Sequence, residues 1–351
     1  MKAWENNIRK VEPYVPGEQP KDTDVIKLNT NENPYPPAPE VAKAVMDTDI
    51  DRLRLYPDPD VTELVSAIAD YYGMNKNQVF VGVGSDDVLS MCFLTFFNGN
   101  KPVLFPDITY SFYKVWADLY RIPYECKKVD GNFHIIKEDY YPENGGVIFP
   151  NPNAPTSIYE DLEFVEDIIR HNQDVIVIVD EAYIDFAGES ALSLLDKYDN
   201  LIITQTFSKA RSMAGMRIGY AIASPLLIKY LNDAKYSFNS YTMNKTSLVY
   251  GAEAVKDKEY FAETTRKIVE TRDWAEEEFK KLGFVFPKPS ANFIFVSHPE
   301  YDAKELFEAM KAKGIYVRFW GSERIEQYLR VTIGTREEME ALFAFLREYM
   351  M

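Results

Sequence analysis

Histidine and cysteine are scarce in this chain: three and two of 351 residues. Cys92 and Cys126 supply neither a disulfide framework nor a CxxC metal knuckle. His134, His171 and His298 are scattered, with no HExxH and no helix face carrying two of them, which argues against a histidine-built zinc site. They read as ordinary surface or loop histidines. Positive charge is also short: 39 Lys and Arg against 55 Asp and Glu give a formal net charge of −16. Phosphate backbones need surplus Lys and Arg, so nucleic acid is not the expected partner; a small basic pocket for an anionic substrate remains compatible. Long apolar runs are missing. The longest, 175–179 and 93–97, fall far below the ~18 residues of a membrane span. The opening Met1-Lys2-Ala3-Trp4-Glu5-Asn6 has no apolar signal core. A soluble cytoplasmic protein with no membrane partner is expected.

Three nucleotide and hydrolase signatures are absent as well. Gly82-Val83-Gly84-Ser85 lacks the third glycine of GxGxxG, and neither GxxxxGK nor GxSxG occurs. What is present is ordinary globular composition, 46% hydrophobic and 27% charged, at a length of roughly two domains.

The first 40 residues carry Pro13, Pro16, Pro20, Pro34, Pro36, Pro37 and Pro39. They read as an extended arm and loop that must lie on something else. From residue 79 short β-branched or aromatic runs alternate with helical stretches. Strands are expected at 79–83, 102–105, 123–129, 146–149, 175–179, 201–204 and 218–223, and helices at 86–97, 111–120, 162–171 and 225–235. Several strands are continuously apolar, as in sheets covered on both faces. The alternation predicts an α/β unit with a mostly parallel sheet. After Tyr260 a long charged helix (258–282) precedes strands at 292–296, 315–318 and 328–333 and helices at 303–313 and 336–349. These form a smaller α+β unit that packs with the arm. The expected division is 1–45 for the arm with part of the small domain, 46–257 for the large domain and 258–351 for the small domain.

Three stretches carry candidate chemistry. Gly82-Val83-Gly84-Ser85 follows a strand and opens a helix, a ready anion site; Asp86 and Asp87 equally suit helix caps. Asp180 ends an apolar strand, where α/β folds place ligands, or else caps the next helix. Lys209, after Thr206-Phe207-Ser208, is either a solvated charge or an amine that captures a carbonyl. Arg217 follows eight residues later, a side chain suited to phosphate. Each is weak alone, but their order matches one cofactor: pyridoxal phosphate needs an amine for its aldehyde, an anion for its ring nitrogen and a cradle for its phosphate.

With these residues assembled, the whole chain resembles the fold-type I pyridoxal-phosphate aminotransferases of class II, and within them the histidinol-phosphate aminotransferases. The matching blocks are Pro13-Tyr14-Val15-Pro16-Gly17, Leu28-Asn29-Thr30-Asn31-Glu32-Asn33-Pro34, Tyr56-Pro57-Asp58-Pro59, Gly82 to Asp86, and Val179-Asp180-Glu181-Ala182-Tyr183. They continue with Phe207-Ser208-Lys209-Ala210, Gly215-Met216-Arg217-Ile218-Gly219-Tyr220 and Leu329-Arg330-Val331-Thr332-Ile333-Gly334-Thr335. The resemblance implies a large domain with a mostly parallel mixed sheet between helices, plus a smaller α+β domain.

It also implies roles. Lys209 would bond the cofactor aldehyde, be displaced by the substrate amine and then move the proton between Cα and the cofactor. Asp180 would pair with the ring nitrogen, Tyr183 with the ring oxygen, and Tyr110 would stack on the ring. Ser85, Asp86, Ser208 and Arg217 would hold the phosphate, joined by Tyr56 from a neighbouring subunit, so that a homodimer builds the site. Arg330 would clamp the carboxylate of glutamate or 2-oxoglutarate; Arg330, Arg318 and Tyr14 would serve the phosphate of histidinol phosphate, with Asn31 and Asn292 as further substrate contacts. The implied reaction converts histidinol phosphate and 2-oxoglutarate to imidazole acetol phosphate and glutamate. Two departures stand out. In Asn151-Pro152-Asn153-Ala154-Pro155-Thr156-Ser157, Ala154 replaces the family asparagine that meets the ring oxygen, leaving Tyr183 and Asn153, and Ser157 replaces a glycine. Ser237-Phe238-Asn239-Ser240-Tyr241-Thr242 departs from the family pattern near the substrate entrance. A decarboxylase of phosphorylated amino acids, similar to threonine-phosphate decarboxylase, an aromatic aminotransferase and a non-catalytic binding protein on the same fold are the competing readings.

Overall fold

The computed structural model describes residues 2–22 and 24–351. In chain order its strands and α-helices are β1 (Ile26–Lys27), α1 (Pro39–Met46), α2 (Thr62–Tyr72), β2 (Val79–Gly82), α3 (Ser85–Phe96), β3 (Val103–Pro106), α4 (Phe112–Tyr120), β4 (Tyr124–Lys127), β5 (Gly146–Pro150) and α5 (Leu162–His171). They continue with β6 (Val177–Asp180), β7 (Leu201–Thr206), β8 (Gly219–Ala223), α6 (Pro225–Phe238), α7 (Lys245–Lys256), α8 (Lys258–Lys281), β9 (Phe293–Val296), α9 (Ala303–Ala312), β10 (Ile315–Tyr316), β11 (Arg318–Phe319), β12 (Leu329–Thr332) and α10 (Arg336–Tyr349).

Seven strands form the main sheet in the order β2-β8-β7-β6-β5-β3-β4. Side chains alternate across a strand, and here both faces are apolar. Val177 and Val179 enter one core with Val147, Leu201 and Ile203; Ile178 enters the other with Ile148, Ile202 and Phe80. That is why the strands read as continuous apolar runs. The sheet is parallel except at β8, which runs antiparallel to both β2 and β7. Two reversals bring β2 back to the common direction. The carboxyl ends of β2, β6 and β7 and the amino end of β8 therefore share one edge, and that edge collects the candidate residues.

Helices with clear caps begin where their sequence signals place them. Asp161 accepts the Phe164 N–H at 2.8 Å at the start of α5, and Thr335 with Glu338 forms a reciprocal capping box at α10. The smaller layer is the antiparallel sheet β11-β12-β9 under α8, α9 and α10. The run expected as one strand at 315–318 is two. Ile315–Tyr316 pairs in parallel with Ile26–Lys27 of the arm, while Arg318–Phe319 turns to pair with β12. The arm is thus held by main-chain pairing, and it brings residues 28–33 across the edge where the strand ends gather.

Candidate active site

Asp180, the last residue of β6, sits at the floor of the edge and is 4% exposed. Its Oδ2 accepts the Tyr113 hydroxyl at 2.8 Å and its Oδ1 the Thr204 hydroxyl at 3.3 Å. Burial lifts its pKa from an ordinary 3.8 to about 6, against the pull of these donors and the Ala182 N–H. Among the described residues no cation pairs with it. A buried carboxylate stripped of water and lacking a countercharge is a receptor for a cationic group. Cys92, buried nearby, has its thiol pushed well up by burial and then by the Asp180 charge, so it is an inert core residue.

Above this floor lies a cavity of about 390 Å³ whose lining includes Asp180, Tyr183, Ser208, Lys209, Arg217 and Ser85. One end is a cradle. Gly84 takes φ +85°, and Ser85 opens α3 directly after it, so the first amides of the helix lack intrahelical partners. Here glycine is required. A Cβ on Gly84 would strike the Arg217 guanidinium, and one on Gly219 would strike the backbone at Gly84 and Ser85. Arg217 Nη2 lies 3.1 Å from Asp86 Oδ2, and the Tyr110 hydroxyl donates to Asp86 Oδ1 at 2.6 Å. Ser208 lies within the cavity wall. Free helix amides, a guanidinium and a hydroxyl are an anion's donor set.

Lys209 enters from the side, just past β7. Its Nζ donates to the Thr30 carbonyl of the arm at 3.0 Å and lies 5.7 Å from the centre of the Tyr183 ring. An amine, a cation receptor and an anion cradle thus open onto one space. A ring with a cationic nitrogen at one end and a phosphate at the other fits that donor set.

A second cavity of about 400 Å³ shares Tyr110, Ala154 and Tyr183 with the first and is lined further by Tyr14, Trp320 and Arg330. Arg330 donates from Nη2 to the Asn29 carbonyl at 2.8 Å, and its guanidinium lies 5.3 Å from the Phe293 ring centre and 5.2 Å from that of Trp320. Burial lowers its pKa, and its buried Nε has no hydrogen-bond partner among the described residues. Arg318 faces Trp320 from 5.2 Å. Tyr14 stacks on Phe112 at 4.2 Å, so the arm does lie over this mouth.

Three expectations are revised by the geometry. Asn153 does not line the cavity: its Nδ2 donates to the Ile108 carbonyl and to Thr156, and its Oδ1 accepts from Thr109. Asn31 and Asn292 line neither cavity. Asn31 Nδ2 donates to the Tyr183 hydroxyl at 2.9 Å, and Asn292 Nδ2 to the Asn31 carbonyl at 3.0 Å; both lie behind the wall rather than in it. Tyr56, expected to serve a neighbouring subunit, is 81% exposed and stacks on Tyr241 at 4.7 Å, outside this chain's own cavity. Two contributors went unforeseen. Tyr113 had only its place in an apolar helix as a signal. Trp320 is an aromatic beside Arg318 in Val317-Arg318-Phe319-Trp320, a hint too common to read.

Comparison with known proteins agrees with this geometry. The family model for aminotransferase class I and II matches residues 23–346. The chain is 49% identical over 346 residues to a histidinol-phosphate aminotransferase of Clostridium beijerinckii, covering 99% of this chain and 97% of that protein. It is 49% identical over 348 residues to one of Lactococcus lactis subsp. cremoris, covering 99% and 98%. Among solved structures, the histidinol-phosphate aminotransferase of Sinorhizobium meliloti in complex with pyridoxal-5'-phosphate superposes with a TM-score of 0.82 at 23% identity, over 92% of this chain and 90% of that one, a likeness of fold. A shared strand edge, an amine facing a buried carboxylate and near-complete alignment lead to one conclusion: the chain belongs to the class I and II aminotransferases, in the histidinol-phosphate aminotransferase family.

Proposed function

We propose that this enzyme uses pyridoxal phosphate to move an amino group from histidinol phosphate to 2-oxoglutarate, releasing imidazole acetol phosphate and glutamate. The observation that carries the reading is the convergence of Lys209, Asp180 and the Gly84–Arg217 cradle on one cavity, with Arg330 in the cavity adjoining it across Tyr110, Ala154 and Tyr183.

Pyridoxal phosphate supplies an aldehyde that condenses with amines and a ring that draws electrons from the bonds at the substrate Cα. The chain's residues divide the rest. Lys209 Nζ presents the amine and takes the proton from the substrate Cα. The Asp180 carboxylate stays ionised opposite the ring nitrogen and keeps that nitrogen cationic. Tyr183 would supply a donor to the ring oxygen, and Tyr110 would offer its aromatic face to the ring. The Ser85 and Asp86 amides, the Ser208 hydroxyl and Arg217 hold the phosphate. Arg330 receives the glutamate carboxylate, with Arg318 and Tyr14 beside it for the phosphate of histidinol phosphate. Tyr56, exposed here, reaches the site of a second subunit, so the working form is a cytoplasmic homodimer. Residues 46–257 form the cofactor lobe, and 258–351 with the arm form the covering lobe.

Steady-state comparison of histidinol phosphate with phenylalanine, tyrosine and phosphothreonine tests the reading. A kcat/KM preference of at least tenfold, about 1.4 kcal/mol of transition-state binding, is expected for histidinol phosphate with glutamate formed. Carbon dioxide released from phosphothreonine, or equal use of the aromatic amino acids, would refute it.

A further inference from the structure

Asn31 stands in the left-handed region at φ +57° and is 1% exposed. A non-glycine residue held there signals a local demand on the backbone. Four hydrogen bonds hold it. Its N–H donates to Thr332 Oγ1 at 3.0 Å, its carbonyl accepts Asn292 Nδ2 at 3.0 Å, its Oδ1 accepts the Thr332 hydroxyl at 3.0 Å, and its Nδ2 donates to the Tyr183 hydroxyl at 2.9 Å. On the wall shared by the two cavities, Tyr183 has Ala154 as a neighbouring lining residue, a side chain with no polar atom.

We propose that Asn31 is a positioning residue for Tyr183: its amide fixes the tyrosine hydroxyl as a donor into the cavity, supplying order that an alanine at position 154 cannot. The inference rests on the reading above, in which Tyr183 faces the ring oxygen of the cofactor. The bond network sets the direction. Thr332 Oγ1 already accepts the Asn31 N–H, so its own proton goes to Asn31 Oδ1. That leaves the Asn31 amide nitrogen facing Tyr183, and the phenol oxygen accepts. The phenol proton is then free to point at the cavity. With the amide turned over, the phenol proton would be drawn backward onto Oδ1 and the Thr332 proton would lose its partner. The same peptide group ties in Lys209, whose Nζ donates to the Thr30 carbonyl. One strained turn of the arm, anchored on β12 and Asn292, therefore sets both the amine and the phenol.

The test is a pH titration of the visible absorbance of the purified holoenzyme without substrate, in the wild type, Asn31→Gly, Tyr183→Phe and the double variant. Glycine keeps the positive φ at no steric cost and removes only the amide. A hydrogen bond donated to an anionic ring oxygen stabilises that anion and holds the titration of the band low. Tyr183→Phe is expected to move the titration upward by about one pH unit. Asn31→Gly moves it the same way by a smaller amount, and adds nothing in the Tyr183→Phe background. Thr332→Val, which removes the hydroxyl that orients the amide, gives the same direction and serves should Asn31→Gly fail to fold. An unchanged titration in the variants at position 31 and position 332, or an equal shift with Tyr183 already replaced, overturns the proposal. A wild type that forms no visible band defeats the cofactor reading itself and is distinct from either result.

Discussion

Asp180→Asn separates what the site costs the empty protein from what it does for catalysis. The folded carboxyl has a pKa of about 6 against an ordinary 3.8, with burial the main cause. Each pH unit between the two values is worth about 1.4 kcal/mol, so the cofactor-free protein carries about 3 kcal/mol of destabilisation at neutral pH. The sign follows from proton counting. Between pH 4 and 6 the folded state holds a proton that the unfolded state has lost, so stability falls as pH rises through that window and is flat above it (about pH 6 onward). Asparagine has the same shape, is neutral, and accepts the Tyr113 hydroxyl through its oxygen. Urea unfolding of the two cofactor-free proteins is expected to coincide near pH 4 and to diverge toward pH 7, where the variant is more stable by about 3 kcal/mol. Turnover by the loaded variant falls at least about a hundredfold, because nothing keeps the ring nitrogen cationic. Parallel stability profiles across the whole range, or a variant less stable at pH 7, would refute the assignment of Asp180 as a buried, uncompensated anion.

Other perturbations read the remaining parts. Tyr113→Phe keeps the ring packed but removes a donor to a charged acceptor, worth about 1.5–3 kcal/mol to the ionised carboxylate, which lifts the Asp180 pKa from about 6 by about one to two units; cofactor affinity of the apo-protein at pH 7, followed by absorbance titration, should drop by roughly two- to fifteenfold and recover as pH is raised. Gly84→Ala places a methyl group against Arg217 at φ +85°, so cofactor affinity should fall at least about tenfold while histidinol phosphate preference is unaltered. Lys209→Ala should abolish turnover and leave no band that borohydride can lock to the chain. Co-expressed with Tyr56→Ala it should regain about a quarter of wild-type activity, since half the dimers then carry one intact site; no recovery would exclude a shared site built through Tyr56.

The chemistry-bearing residues were legible because each sits on a short local signal. Asp180 closes an apolar strand, Lys209 follows another, and Gly84-Ser85 joins a strand to a helix. Local order along the chain is all that such signals require. The covered sheet was legible for the same reason, since strands buried on both faces must be apolar at every position. The helices at 162–171 and 336–349 were legible from their local pattern, and the structure caps them with Asp161 and Thr335.

What the linear order could not decide was which distant groups face one another. Tyr113 meets Asp180 across 67 positions, and Asn31 meets Thr332 across 301. Asn31, Asn153 and Asn292 are the same residue type with the same polar amide. Only the packed arm, which pairs with β10, turns one of them toward Tyr183 and buries the other two among backbone carbonyls and hydroxyls. Side-chain identity determined which chemistry was possible here; the closing of long loops, driven by burial of the sheet and the arm, determined which atoms perform it.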